Sequence, residues 1–234
     1  DCDAVFSGLK DVREDGSLIK KRIRVNENKI YSSIELDNMF LDMIASAPNK
    51  KSERSYEASA KVVLYKSQII KDNNLSFVSE RVIASEDQIF NLNFIAHSQK
   101  VCIIADAFYN YRINTSSISR GVNLKRFYAI KGSYNHIVSE CKRLKISGDY
   151  TTRAQRALIG AARVYICQIL NSKIDNEQKN NAVELVCQDP IWRTVWENYP
   201  LKTMPIPQRF FSYCIKCENI IGMILFAKLF DNKT

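Results

Sequence analysis

Glycine and proline are scarce, at seven and five residues in a chain of 234. That is too few for a linker-built or low-complexity protein, and no internal repeat is present. Histidine is scarcer still, at two. His97 and His136 stand apart, with no partner at metal-ligand spacing, and read as ordinary helix residues. No glycine-rich phosphate loop of the Walker or dinucleotide type occurs. No signal-peptide pattern opens the chain, and its seven cysteines are an odd number spread along it. Both facts argue against a disulfide scaffold and for reduced thiols in a cytoplasmic protein. Cys214-Ile215-Lys216-Cys217 lacks a second ligand pair, so its thiols read as structural. Near the C-terminus the uncharged run between Glu218 and Lys228 is far short of the roughly 20 residues that a bilayer core demands.

What is present is an ordinary globular composition, 46% hydrophobic and 25% charged, enough to bury one domain or one domain with a subdomain. The net charge of +9 suits nucleic acid, an anionic membrane surface or phosphorylated ligands alike. No nucleic-acid-binding signature accompanies it, and no nucleic-acid partner is expected. The cluster LIKKRIRV at 18–25 reads as a solvated strand face.

Along the chain, AVFSGLKDV and the run from Leu18 to Val25 flank the turn signal Glu14-Asp15-Gly16-Ser17 and predict a β-hairpin. Ser32-Ser33-Ile34-Glu35 opens a helix that buries Leu36, Met39, Phe40, Met43 and Ile44 and stops before Pro48. A helix over 58–73, ended by Asn73-Asn74, and a short strand through Phe77 are expected next. Ser85 starts a helix with an S-x-x-Q capping box. Two short strands, at 101–105 and 108–112, come after it. Helices are predicted at 123–144, 151–172 and 176–187. Pro190, Pro200, Pro205 and Pro207 punctuate a Trp-containing segment before one amphipathic helix over 207–230, suited to packing or to a membrane surface.

Glu86-Asp87 is the candidate acid–base pair, because a carboxylate fixed at a helix start is rigidly aimed. Acids also favour helix N-termini for the macrodipole alone, and the local sequence by itself favours that plainer account. Tyr109, Tyr111 and Arg112 offer aromatic faces for sugar CH groups and a guanidinium fork for phosphate, or else form a strand alternating buried and exposed residues. Ser117, Ser119 and Arg120 extend this stretch as a flap or as a simple loop.

The pieces Leu64-Tyr65-Lys66, Leu75 through Glu80, Glu86-Asp87-Gln88-Ile89-Phe90, Tyr109-Asn110-Tyr111-Arg112 and Ser117-Ile118-Ser119 stand in a telling order. Over residues 1 to 125 the chain resembles the second half of the catalytic domain of bacterial family 2 glycosyltransferases, inverting enzymes of GT-A fold. The resemblance implies an α/β fold with few strands, in which residues 1–122 form the acceptor-side half and 123–234 a helical subdomain. It implies Asp87 as general base with Glu86 beside it, and Tyr109, Tyr111, Arg112, Ser119 and Arg120 at the substrates. The donor would be a nucleotide-sugar, and the acceptor a growing polysaccharide or a lipid-linked glycan. In the family the nucleotide turn and the Asp-x-Asp motif that holds Mg2+ or Mn2+ precede the point where this sequence opens, so Asp1-Cys2-Asp3 is not expected to be that motif. The chain is accordingly expected to be a C-terminal portion of a larger transferase, inactive and without metal or nucleotide by itself, and located at the cytoplasmic face of a membrane. It is also expected to self-associate, or to rearrange over residues 1–25. The competing reading is a non-catalytic, basic helical interaction or membrane-peripheral module.

Overall fold

β1 (Ala4–Val12) is the strand on which the sheet is built. In the computed structural model, which describes residues 1–56, 58–79, 82–113, 123 and 126–230, β1 pairs in parallel with β5 (Lys100–Arg112) along nearly its whole length. Its other edge is shared by β4 (Val63–Tyr65) over the first half and β2 (Leu18–Arg22) over the second, both antiparallel. β3 (Lys29–Ser32) lies antiparallel on the far side of β5, so the order is β2-β1-β5-β3. The β1–β2 turn closes as expected, with Ser17 N–H donating to Asp15 Oδ1 at 2.8 Å and Gly16 at φ 84°. At Gly8 a Cβ would stand 2.4 Å from the Arg22 carbonyl oxygen. The register with β5 slips on both sides of this residue, so glycine here permits the strand to bend against its neighbours.

A parallel pair needs a long crossover, and here it carries three helices. α1 (Ile34–Ile44) buries the five apolar residues expected of it. α2 is Ser67–Asp72 and α3 is Glu86–Ala96. Residues 58–73 do not form one helix: Ala60–Val62 is a 3-10 turn, β4 follows, and only α2 is helical. The run Val62-Val63-Leu64-Tyr65 is short and β-branched, and pairing Val63, Leu64 and Tyr65 with Phe6, Val5 and Ala4 satisfies its backbone. No strand forms through Phe77, whose ring instead stacks on Phe90 at 4.2 Å. The two short strands expected at 101–105 and 108–112 are one continuous β5.

The C-terminal half is helical as read from the sequence over α4 (Arg126–Arg143), α5 (Tyr150–Leu170) and α6 (Asn176–Cys187), and the proline-punctuated segment after them holds a further helix that was not expected, α7 (Ile191–Asn198). The single last helix expected over 207–230 is two, α8 (Ile206–Lys216) and α9 (Ile220–Phe230). Glu218 takes the left-handed conformation at φ 54°, and Asn219 N–H returns to the Cys214 carbonyl at 2.8 Å. This is a Schellman-type stop in which glutamate occupies the place glycine usually holds. Asn219 Oδ1 then caps α9 by accepting from Gly222 N–H at 3.0 Å. One hydrophobic cluster runs from Ala4 and Phe6 of the sheet through Phe94, Phe127 and Tyr165 to Phe226 of α9. No described helix is long and apolar enough to cross a membrane.

α5 carries a row of basic residues at helical steps, Arg153, Arg156 and Arg163, aimed at the segment after α1. Arg153 donates to Asp42 and to the Ala45 carbonyl, both at 2.7 Å, and Arg163 to Glu53 at 2.8 Å. Arg156, between them, is completely buried; it donates to the Lys50 carbonyl at 2.6 Å and to Gln208 of α8 at 3.0 Å. Gly160 completes the row, because a Cβ there would meet Glu53 Oε2 at 2.6 Å. Their partners in this segment lie about a hundred residues away in sequence, so the spacing of α5 alone does not disclose the row.

Candidate functional site

α3 is buried on almost every side, and its two interior amides explain how it is held. Gln88 does not close a capping box: its Nε2 donates to the Met43 and Ile44 carbonyls at 2.7 and 2.9 Å, satisfying the end of α1. Asn91 Nδ2 donates to the Ala58 carbonyl at 2.8 Å, and its Oδ1 accepts from the Tyr65 hydroxyl at 2.6 Å. Ser85 precedes the helix without a side-chain cap bond. The segment from 58 to 65 is therefore pinned to α3 from both ends.

That pinning brings Ser59 to Asp87. Asp87 lies half-buried in the first turn of α3, and its Oδ2 accepts from Ser59 Oγ at 2.9 Å. Its Oδ1 receives no hydrogen bond from a described residue. Burial first, and then the nearby Asp87 carboxylate, push the Tyr65 phenol well above its usual range, so Tyr65 is a fixed donor to Asn91 and not an acid. Glu86 is half-buried, and its carboxylate makes no hydrogen bond to a described side chain.

Two residues beyond Ser59, Lys61 reaches over the end of β5. Its Nζ stands 4.8 Å from the Tyr111 ring centre and 5.8 Å from that of Tyr109, and the Arg22 guanidinium approaches Tyr111 at 5.8 Å. Tyr109 and Tyr111 share a face of the strand by its two-residue period. Together with Lys61 they make an exposed aromatic and cationic platform joined to Asp87 through Ser59. Sequence reasoning missed Ser59 and Lys61, whose chain neighbours carry no signal of a bond to Asp87. Arg112 is exposed at the last position of β5 and is not part of this platform. Ser119 and Arg120 lie outside the described residues.

Asp3 is occupied structurally. Its Oδ2 accepts from the backbone N–H groups of Gln99 and Lys100 at 2.8 and 3.1 Å, and Lys66 Nζ stands 3.4 Å from Oδ1. Burial raises its pKa, but those N–H groups and the Lys66 ammonium outweigh it and hold the carboxyl below its ordinary range. Among the described residues no group of three His, Cys, Asp or Glu side chains is placed to hold a metal ion.

This mixed α/β arrangement, with the carboxylate helix packed between the sheet and a helical half, is similar in fold to part of a solved glycosyltransferase. Solved structures to which it is similar include those of TarS from S. aureus, a glycosyltransferase. The complex of TarS 1-349 with UDP matches at TM-score 0.51 and 12% identity, over 100% of this chain and 59% of that one. The complex with UDP-GlcNAc matches at TM-score 0.53 and 12% identity, over 99% and 60%. The structure without either ligand gives TM-score 0.52 and 11% identity, over 100% and 59%. This chain thus spans 59% of the length of the first of these neighbours, and at such identity the likeness is one of fold. No family model matches the chain, and no curated protein matches it in sequence.

Proposed function

We propose that the chain is the acceptor-side part of an inverting family 2 glycosyltransferase of GT-A type, residues 1–122 forming that half and 123–234 its helical subdomain. The observation that carries this reading is the Asp87 carboxylate, fixed by Ser59 with one oxygen unengaged among the described residues, and linked through the Ser59–Lys61 segment to the platform of Lys61, Tyr109 and Tyr111. Asp87 Oδ1 takes the proton of the acceptor hydroxyl while that oxygen attacks C1 of the sugar. The C1–O bond to the nucleoside diphosphate breaks on the opposite face, which inverts the anomeric carbon. The acceptor is a growing polysaccharide or a lipid-linked glycan. That the fold neighbours were solved with UDP and UDP-GlcNAc supports a nucleotide-sugar donor. The Mg2+ or Mn2+ implied by the family resemblance finds no fitting donor set among the described residues, Asp3 being engaged elsewhere, and no step here runs through it.

Lys61 is assigned to the donor's diphosphate, as a cation two residues from Ser59 that has aromatic rings and, among the described residues, no carboxylate paired with it. A charge-assisted contact contributes about 1.5–3 kcal/mol, so Lys61→Met is expected to raise the KM for nucleotide-sugar by roughly 10- to 100-fold. An unchanged KM removes Lys61 from the donor site. Peripheral attachment to the inner face of the membrane belongs to the same reading. α9 exposes Ile221, Leu225 and Leu229 along one stripe, with Lys228 beside it. Vesicles containing anionic lipid should retain the protein at low salt and lose Leu225→Glu. Equal co-sedimentation of the two proteins speaks for a stripe with no membrane role.

A further inference from the structure

A cavity of about 470 Å3 opens between α4 and α5, beside the first turn of α3. Its size is that of an ordinary small-molecule site. It exists because α5 presents small residues, Ala154, Ala157, Gly160 and Ala161, where a longer side chain would fill the space. Ile130 and Ile137 of α4 and Leu158 of α5 complete the apolar wall.

The polar groups that line it are largely spent within the protein. Gln88 Nε2 is held by the end of α1, Ser133 Oγ accepts from Ala84 N–H and donates to the Ala129 carbonyl, and the Tyr165 hydroxyl donates to the Asn123 carbonyl. Two cations at the rim are different. Arg54 and Arg126 line the cavity, and neither guanidinium has a hydrogen bond or ion pair among the described residues, whereas Arg153, Arg156 and Arg163 are all engaged. Glu53, the one carboxylate in the lining, is paired with Arg163.

Alkyl walls below two unpaired guanidinium forks describe a ligand that has an anionic head and an apolar stem. We propose that this cleft binds a lipid phosphate, its phosphate held by Arg54 and Arg126 and its chain lying on Ile130, Ile137, Ala157 and Ala161. Taken with the transferase reading, on which this role rests, the site holds the lipid anchor of the acceptor next to the helix that carries Asp87. A free sugar or polyol fits less well, because the deep walls offer it few hydrogen-bonding groups.

Calorimetric titration of this chain with octyl phosphate, inorganic phosphate and octyl glucoside tests the site without donor or turnover. A failed titration therefore leaves the assignment of Asp87 standing, and a failed assignment of Asp87 leaves the titration standing. Octyl phosphate is expected to bind at least about tenfold more tightly than either other probe, since it alone engages both halves of the site. Arg126→Gln, at a half-exposed position that should leave the fold intact, is expected to lose about tenfold in octyl phosphate affinity. Ala161→Trp is expected to abolish binding by filling the cleft. Equal binding of octyl phosphate and inorganic phosphate would reduce the site to an anion patch and overturn the proposal. So would equal binding of octyl glucoside, or undiminished affinity in Arg126→Gln.

Discussion

Asp87→Asn is expected to lower kcat for sugar transfer by about 10²- to 10⁴-fold, the range contributed by a positioned general base. The rate is to be measured in the full-length transferase that the proposed function implies. The amide keeps the shape of the side chain and still accepts from Ser59 Oγ, so α3 and the 58–65 segment stay in place. What is lost is the oxygen able to take a proton. The base acts on the acceptor and not on the donor, so the dissociation constant for nucleotide-sugar should stay within about twofold of the parent value. Ser59→Ala separates aiming from chemistry: it leaves the carboxylate but frees its rotation, and should cost much less than Asp87→Asn. Near-normal turnover by Asp87→Asn would take the base away from this residue and leave the first turn of α3 as an ordinary acidic helix start.

The largest effect on stability is expected at Arg156. A guanidinium with no solvent exposure, joined to the Lys50 carbonyl, to Gln208 and to Ser46, links α5 to α8 and to the segment after α1 in a single side chain. Gln208 Nε2 extends the link to the Lys51 carbonyl at 2.7 Å. Burial pushes the Tyr199 phenol, at the end of α7, above its ordinary range. Arg156→Ala leaves these acceptors dry and unpaired and opens a void, for a loss of about 3–5 kcal/mol. Against a typical total of about 5–15 kcal/mol, urea unfolding should show a much lower midpoint at similar slope. Arg156→Lys should rescue little, because one ammonium cannot reproduce a planar fork. Arg143→Ala, which removes an exposed pair with Glu140 three residues away on the same helix, serves as the contrast and should leave the urea midpoint almost unchanged. A loss at Arg156 as small as that at Arg143 would show the buried row to be dispensable.

Where a segment's own residues decide its conformation, the sequence was readable. α1, α4, α5 and α6 follow from apolar spacing, and the β1–β2 hairpin follows from Asp15-Gly16 between two strand-like runs. Where a distant partner decides, it was not. Val63, Leu64 and Tyr65 fit a helical pattern equally well, and only the edge of β1 makes them a strand. Gln88 looked like half of a capping box, yet the bare carbonyls of Met43 and Ile44 claimed it. The stop at Glu218 escaped notice because a left-handed residue is expected to be glycine or asparagine. Of the site, Asp87 and the two tyrosines of β5 could be named in advance through the family resemblance. Ser59 and Lys61 could not, since nothing in Ser59-Ala60-Lys61 signals a bond to a residue 28 positions on.

The crossover between β1 and β5 also sets an order of assembly. β1 and β2 are neighbours in sequence and can close as a hairpin within roughly microseconds, whereas β5 emerges roughly a hundred residues after β1. At roughly 5–20 residues per second of synthesis, β1 waits some seconds with that edge bare. Lys20 and Lys21 on β2 are exposed at the other edge of the young sheet, and like charges there discourage pairing between nascent chains. Only when β5 slots between β1 and β3 do Tyr109 and Tyr111 come beneath Lys61, so the aromatic platform is completed late in folding, after the helix that carries Asp87 has been made.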